Sequence, residues 1–258
     1  MSSPIWTPAA LSSETRPFQG EIWRLVEAQH RVSTMGLVDD LVEQDLLERL
    51  LEETKPPVPP ECRHLDYLLA APFRYGRYPD DSRFRRRGGS AGVFYGAPSV
   101  RTAVAELSFY RVLFFAESPE TPFPDSATEF TAFTAAIATD RAIDLTRPPF
   151  DADQARWGHP VDYGPCLALA DAARQAAVEA IGYRSVRDPA GGDNLAVLTC
   201  AAFARPSPVR RQTWRLLVAA SGVRAIAEFP PDRCAFAPED FASDPRLAGM
   251  AWRRVSGD

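Results

Sequence analysis

The chain has 258 residues, 45% of them hydrophobic and 24% charged, with a formal net charge of −5. This is globular composition, long enough to bury a core without staples, and it excludes disorder and wholesale nucleic-acid binding. No run approaches the ~18 apolar residues of a membrane span, and Met1–Trp6 lacks the basic-then-apolar pattern of a secretory leader. Cys62, Cys166, Cys200 and Cys234 are scattered with no CxxC. They are expected as reduced thiols of a cytoplasmic protein, with no zinc site.

Residues 1–60 read as a helical extension. Glu21–Arg31 carries Ile22, Trp23, Leu25, Val26 and Ala28 on a broad apolar face. Leu37, Val38, Leu41, Val42, Leu46, Leu47, Leu50 and Leu51 then recur near the helical period. Packing of this second stripe within the chain is the expectation. Lys55-Pro56-Pro57-Val58-Pro59-Pro60 ends it as a stiff connector, so residues 61–258 are expected to form the main domain.

Arg74 to Ser90 reads as loop, and Gly92–Gly96 as a short strand. Ser99 is placed as N-cap of a helix from Val100 to about Tyr110, with Ala103, Glu106 and Tyr110 on one face. Strands are expected at Phe130–Ala138 and Ala142–Leu145, a helix at Cys166–Ile181, and strands at Tyr183–Val186 and Leu195–Phe203. Thr213–Ala219 and Val223–Phe229 form a hairpin around Ser221-Gly222. Helices and strands do not alternate regularly, so the fold class is α+β.

Charge is unevenly distributed. Lys55 is the sole lysine, and between Ala71 and Arg111 eight arginines face three acids, Asp80, Asp81 and Glu106. A cationic focus in an acidic chain suits a small polyanion such as a nucleotide diphosphate, because guanidinium groups bind phosphate bidentately. A solvated basic loop is the plainer alternative. Several chemistries lack their residues. There is no GxxxxGK[ST], no GxGxxG, no HExxH and no GxSxG, so a P-loop, a dinucleotide fingerprint, a zinc hydrolase and a nucleophile elbow are not supported. No metal site is expected.

Three stretches remain: Phe73-Arg74-Tyr75 with Ser82-Arg83-Phe84-Arg85; Gly92-Val93-Phe94-Tyr95-Gly96 with Thr102-Ala103-Val104-Ala105-Glu106; and Tyr183-Arg184-Ser185-Val186-Arg187-Asp188-Pro189, running to Gly191-Gly192-Asp193-Asn194. In this order and spacing they resemble the RES domain, over roughly residues 70–203. The resemblance implies a mixed sheet similar to ADP-ribosyltransferase-like folds. It also implies a bacterial toxin that destroys NAD+ by cleaving its nicotinamide–ribose bond, with inorganic phosphate as co-substrate or water in its place. NAD+ is then substrate, no further cofactor is needed, and the partner is a proteinaceous antitoxin; nucleic acid and membrane are not partners, and homo-oligomerisation is left open.

On that resemblance Glu106 stabilises positive charge on the departing ribose, as carboxylates do in glycoside cleavage. Arg74 and Arg83 grip phosphate, Tyr75 and Tyr95 offer ring faces and hydroxyls, and Ser185 bonds the ribose or orients an arginine. Arg77-Tyr78 repeats the Arg74-Tyr75 pair and stays open as the alternative. On the residues alone, Glu106 could instead pair with Arg101 or Arg111, Tyr95 could be a core tyrosine, and Ser185 a turn former. Transfer of ADP-ribose to a macromolecule, or non-catalytic nucleotide binding, are the rival functions. Asn194 is read as a loop brace outside the catalytic set.

Overall fold

A computed structural model describes residues 6–27, 38, 40–74, 78–88 and 92–253. Its centre is a mixed sheet of eight strands among the described residues. The strands are β1 (Arg16–Glu27), β2 (Phe94–Gly96), β3 (Thr128–Asp144), β4 (Ala180–Arg184), β5 (Asp193–Val197), β6 (Arg211–Ala219), β7 (Gly222–Ala227) and β8 (Asp232–Phe236). Their order is β2-β5-β4-β3-β6-β7-β8, with β1 antiparallel to β3 from Glu27–Phe130 to Arg16–Ala142. Among the described strands only β3 and β4 run parallel. This is the expected α+β class with a mixed sheet.

β3 organises the rest. Two strands were expected between Phe130 and Leu145; one 17-residue strand is found. It pairs with β6 through Thr128–Phe133 and with β4 through Ala142–Asp144. Trp23 and Ala97 exchange both backbone hydrogen bonds, at 2.6 and 2.9 Å, so the path β1-β3-β4-β5-β2 returns to β1. The end of β2, and the helix that follows it, are thereby held beside β1.

β1 corrects the helix expected from Glu21. Phe18, Ile22 and Val26 pack into one apolar cluster, whereas Trp23 and Leu25 pack into the cluster on the opposite face. The period is two. A strand buried on both faces shows a near-continuous apolar run, which over seven residues imitates a broad helical face.

The described helices of the N-terminal region are α1 (Pro8–Ser13) and α2 (Leu41–Thr54), the latter capped by Asp40, which accepts from Val42 N and Glu43 N. The apolar stripe of α2 does not pack within the chain as expected. Leu41 and Val42 are 74% and 78% exposed, and Leu46, Leu50 and Leu51 are exposed too, because the helix turns Gln44 and Leu47 inward instead.

Further helices complete the layers around the sheet. α3 (Tyr67–Arg74) buries Leu68, Leu69 and Phe73 against Phe94, Phe133 and Ile137. On the other face, α4 (Val100–Glu117) lays Val104, Phe109 and Val112 against Phe130, Trp214 and Leu216. Ser99 caps α4 by accepting from Arg101 N at 3.2 Å, and buried Val112, Leu113 and Phe115 carry it past Tyr110 to Glu117. After the single turn α5 (Gln154–Trp157), α6 (Gly164–Gln175) packs Leu169 and Ala173 on Ile143, Ile181 and Ala196. α6 stops earlier than expected: Ala177 takes a left-handed φ of 53° and the chain enters β4 at Ala180. α7 (Pro238–Phe241) closes the C-terminal side.

Cys62 and Cys200 are bonded to each other, which corrects the expectation of four reduced thiols. They sit 138 residues apart on two 3₁₀ turns whose Cα atoms the fold brings to 5.3 Å, a juxtaposition that cysteine spacing does not encode. Cys166 and Cys234 are free and buried. No described helix is long and apolar enough to cross a membrane.

Candidate active site

α4, the end of β4 and the start of β5 converge on Glu106. The Ser185 hydroxyl donates to Glu106 Oε1 at 2.7 Å and Asn194 Nδ2 donates to the same oxygen at 2.6 Å. Among the described residues Oε2 accepts nothing, and Glu106 pairs with neither candidate arginine: Arg101 lies on Asp232 and Arg111 on Glu27. Ser185 is buried, and its oxygen also accepts from Arg187 N at 3.2 Å and Asp188 N at 3.0 Å. With those lone pairs used, the hydroxyl proton is directed at Glu106.

The turn holding Ser185 is tied to α4. Asp188 accepts from the Thr102 hydroxyl at 2.8 Å and from Ala190 N at 2.9 Å, and Ser185 N donates to Gly192 O at 2.8 Å. Gly192 is required by close approach: a Cβ there would lie 2.2 Å from Thr102 Oγ1 and 2.6 Å from Asp188 Oδ2. Arg187 is buried beneath the turn. It pairs with Asp244, donates to Pro160 O at 2.6 Å and lies 4.0 Å from the Phe109 ring centroid. Arg246 also donates to Asp244, at 3.0 Å. Burial pushes the Asp244 carboxyl up, but the Arg246 hydrogen bonds and the charges of Arg187 and Arg246 outweigh it and hold the group below its ordinary value.

Glu106 lines a cavity of about 720 Å³ together with Arg83, Tyr95, Tyr110, Arg187 and Asn194, a volume suited to a nucleotide-sized ligand. Tyr95 is half-buried, its hydroxyl 2.9 Å from Ser82 Oγ and accepting from Phe84 N at 3.0 Å. Burial raises the Tyr95 phenol, and burial with the nearby Glu106 charge raises Tyr183. Both stay protonated through neutral pH. Among the described residues no group of three or more His, Cys, Asp or Glu side chains could hold a metal ion.

The structure thus brings Glu106, Ser185, Arg83 and Tyr95 to one place, though Arg83 is committed. It is 7% exposed and donates to Trp157 O and, at 3.2 Å, to His159 O, beside the Tyr163 and Tyr183 rings. It fixes the segment between α5 and α6. Arg74 is not brought to this cavity. At the end of α3 its guanidinium donates to Glu52 Oε1 at 2.5 Å and to Pro56 O, and it lines a separate cavity of about 380 Å³ with Lys55 and Glu52. The carboxylate of α2 claims it, and its hydrogen bond lowers the Glu52 carboxyl in turn. Tyr75 and Arg77 lie outside the described residues; Tyr78 carries the Arg85 guanidinium over its ring at 3.4 Å.

Sequence reasoning left Asn194 as a brace and passed over Arg187 and Asp244. Asn194 had a readable signal, the first inward position of a strand two residues past Gly192. Asp244 had none, since its role exists only once the C-terminal segment folds back.

A family model described as RES domain matches residues 58–219, more than half of the chain. The chain belongs to the RES domain family. The RES match includes Glu106, Ser185 and Asn194 but leaves out β1 and everything after Ala219, hence Arg24 and Asp244. The chain is also similar, at 16% identity and a TM-score of 0.42, to a chain in the crystal structure of the M. tuberculosis MbcT–MbcA toxin–antitoxin complex, covering 92% of this RES protein and 95% of that chain. No curated protein matches.

Proposed function

We propose that this RES protein is the toxin of a toxin–antitoxin pair and cleaves the nicotinamide–ribose bond of NAD+, with inorganic phosphate as acceptor. The observation that carries the reading is Glu106, a carboxylate held through one oxygen by Ser185 and Asn194 in the wall of an arginine- and tyrosine-lined cavity. In the proposed reaction the C1–N bond breaks with its electron pair going to the pyridinium, so nicotinamide leaves neutral and no proton is required. The ribose becomes oxocarbenium-like, and the fixed negative charge of Glu106 stabilises it. Oε2 accepts a ribose hydroxyl. A phosphate oxygen then forms the new bond to C1, giving ADP-ribose 1″-phosphate; water in its place gives ADP-ribose and releases one proton.

The catalytic unit proposed for residues 61–258 takes part of its cavity wall, Trp23 to Leu25, from β1. A proteinaceous antitoxin and a cytoplasmic site of action belong to the same reading.

Incubating the purified protein with NAD+, with and without phosphate, tests it. Loss of NAD+ with phosphate-dependent formation of ADP-ribose phosphate is the expected result. A labelled macromolecule without free product points to ADP-ribosyl transfer, and NAD+ left intact through a long incubation overturns the proposal.

A further inference from the structure

Besides Arg83, two guanidinium groups in the Glu106 cavity form no ion pair among the described residues. Arg24, on β1, donates through Nη1 to Tyr95 O at 3.1 Å and lies 5.1 Å from the Phe94 ring centroid. Arg85 exchanges backbone hydrogen bonds with Ser82 in a tight turn, stacks on Tyr78, and its Nε is buried with no partner. Asp80, Asp81, Glu106 and Glu117 line the same cavity, yet among the described residues no carboxylate forms an ion pair with either arginine. Each guanidinium has five N–H donors in a planar fork, and most of them are unused here. Burial lowers the Arg24 pKa and the Arg85 charge lowers it further, as expected for a desolvated cation placed near a second one.

We propose that Arg24 and Arg85, with the Ser82 hydroxyl between Arg85 and Tyr95, form a seat for a phosphate-class anion in the same cavity as Glu106. This rests on the NAD+ reading and gives its phosphate contacts to residues other than Arg74, which is bonded to Glu52 and Pro56, and Arg83, which is bonded to Trp157 and His159. The ligand is the diphosphate bridge of the dinucleotide or a free inorganic phosphate, both of which match the planar fork of arginine. Arg24 lies outside residues 58–219, so the seat joins an N-terminal strand to the matched region.

Isothermal titration of the full chain with ADP, and separately with inorganic phosphate, tests the seat without turnover, because neither probe carries a nicotinamide–ribose bond. Wild type binds at least one of the two, and Arg24→Gln and Arg85→Gln each weaken that binding about 10–100-fold, the loss of a charge-assisted contact. Arg85→Lys, which keeps the charge but not the fork, falls between. Dependence for ADP assigns the seat to the diphosphate bridge, and dependence for phosphate alone assigns it to the acceptor. Binding unchanged in both Gln variants, or no binding of either probe to wild type, overturns the seat whatever happens to NAD+. Melting the unliganded proteins separates a structural role: Arg85→Gln is expected to melt at or above wild type, since an unpaired cation has been removed, and a clear fall in Tm refutes the proposal.

Discussion

Glu106→Gln is expected to abolish NAD+ turnover while leaving the fold and nucleotide binding in place. The substitution keeps the shape and an acceptor oxygen, so Ser185 and Asn194 can still donate to it. It removes the negative charge. At about 4 Å and an effective dielectric constant near 20, that charge stabilises a developing cation by about 4 kcal/mol, which corresponds to a fall in kcat of about 10³-fold. Binding of NAD+ to the variant, followed by calorimetry, and its turnover, followed by product analysis, check the two halves independently. Turnover within tenfold of wild type in a folded variant would remove Glu106 from the chemistry and leave the carboxylate as a brace for the Ser185 turn.

The largest effect on stability is expected at Asp244, far from the residues that motivated the site. Asp244 and Arg187 side chains are each 3% exposed, and Arg246 shares the same carboxylate. Asp244→Asn leaves two guanidinium groups, one of them fully buried, around a neutral amide. Breaking a buried pair by removing one partner costs about 3–5 kcal/mol, which in a chain of this size lowers Tm by about 6–20 °C. The pH dependence has a definite sign. The folded carboxyl lies below its unfolded value, near 3.9, so the contribution is complete above that value and is lost as pH falls through the depressed folded one. The Tm gap between wild type and Asp244→Asn should therefore be constant from pH 7 to about pH 4 and narrow in more acid solution. A gap below about 2 °C at pH 7 would show that the pair does not anchor the turn beneath Ser185.

What could be read from the sequence is what short-range spacing encodes. Ser99 as a cap, the helix after the aromatic strand, Glu106 on that helix, and Ser185 before a glycine turn all follow from residues within a dozen positions of one another. Pairing across the fold was not legible. β1 buries both faces, so its period of two was hidden in a run that also fits a helix. Arg74 sits in one of the three motifs, but the acid that claims it, Glu52, belongs to a helix read as a separate extension. Asp244 looks like any acid in a polar tail until the C-terminal segment places it under Arg187. The disulfide between Cys62 and Cys200 is of the same kind.

The pairing of β1 with β3 constrains how this protein can be trimmed. A shortened chain beginning at residue 58, where the family match starts, would strip the neighbour from one side of β3 between Phe130 and Ala142. The bared backbone, flanked by Phe133 and Ile137, is a template for self-association. Such a fragment would also lack the Trp23 contact that holds the start of α4, and with it the footing of Glu106. A trimmed chain that keeps β1, from Arg16 onward, is therefore expected to retain the sheet neighbour that the shorter fragment loses.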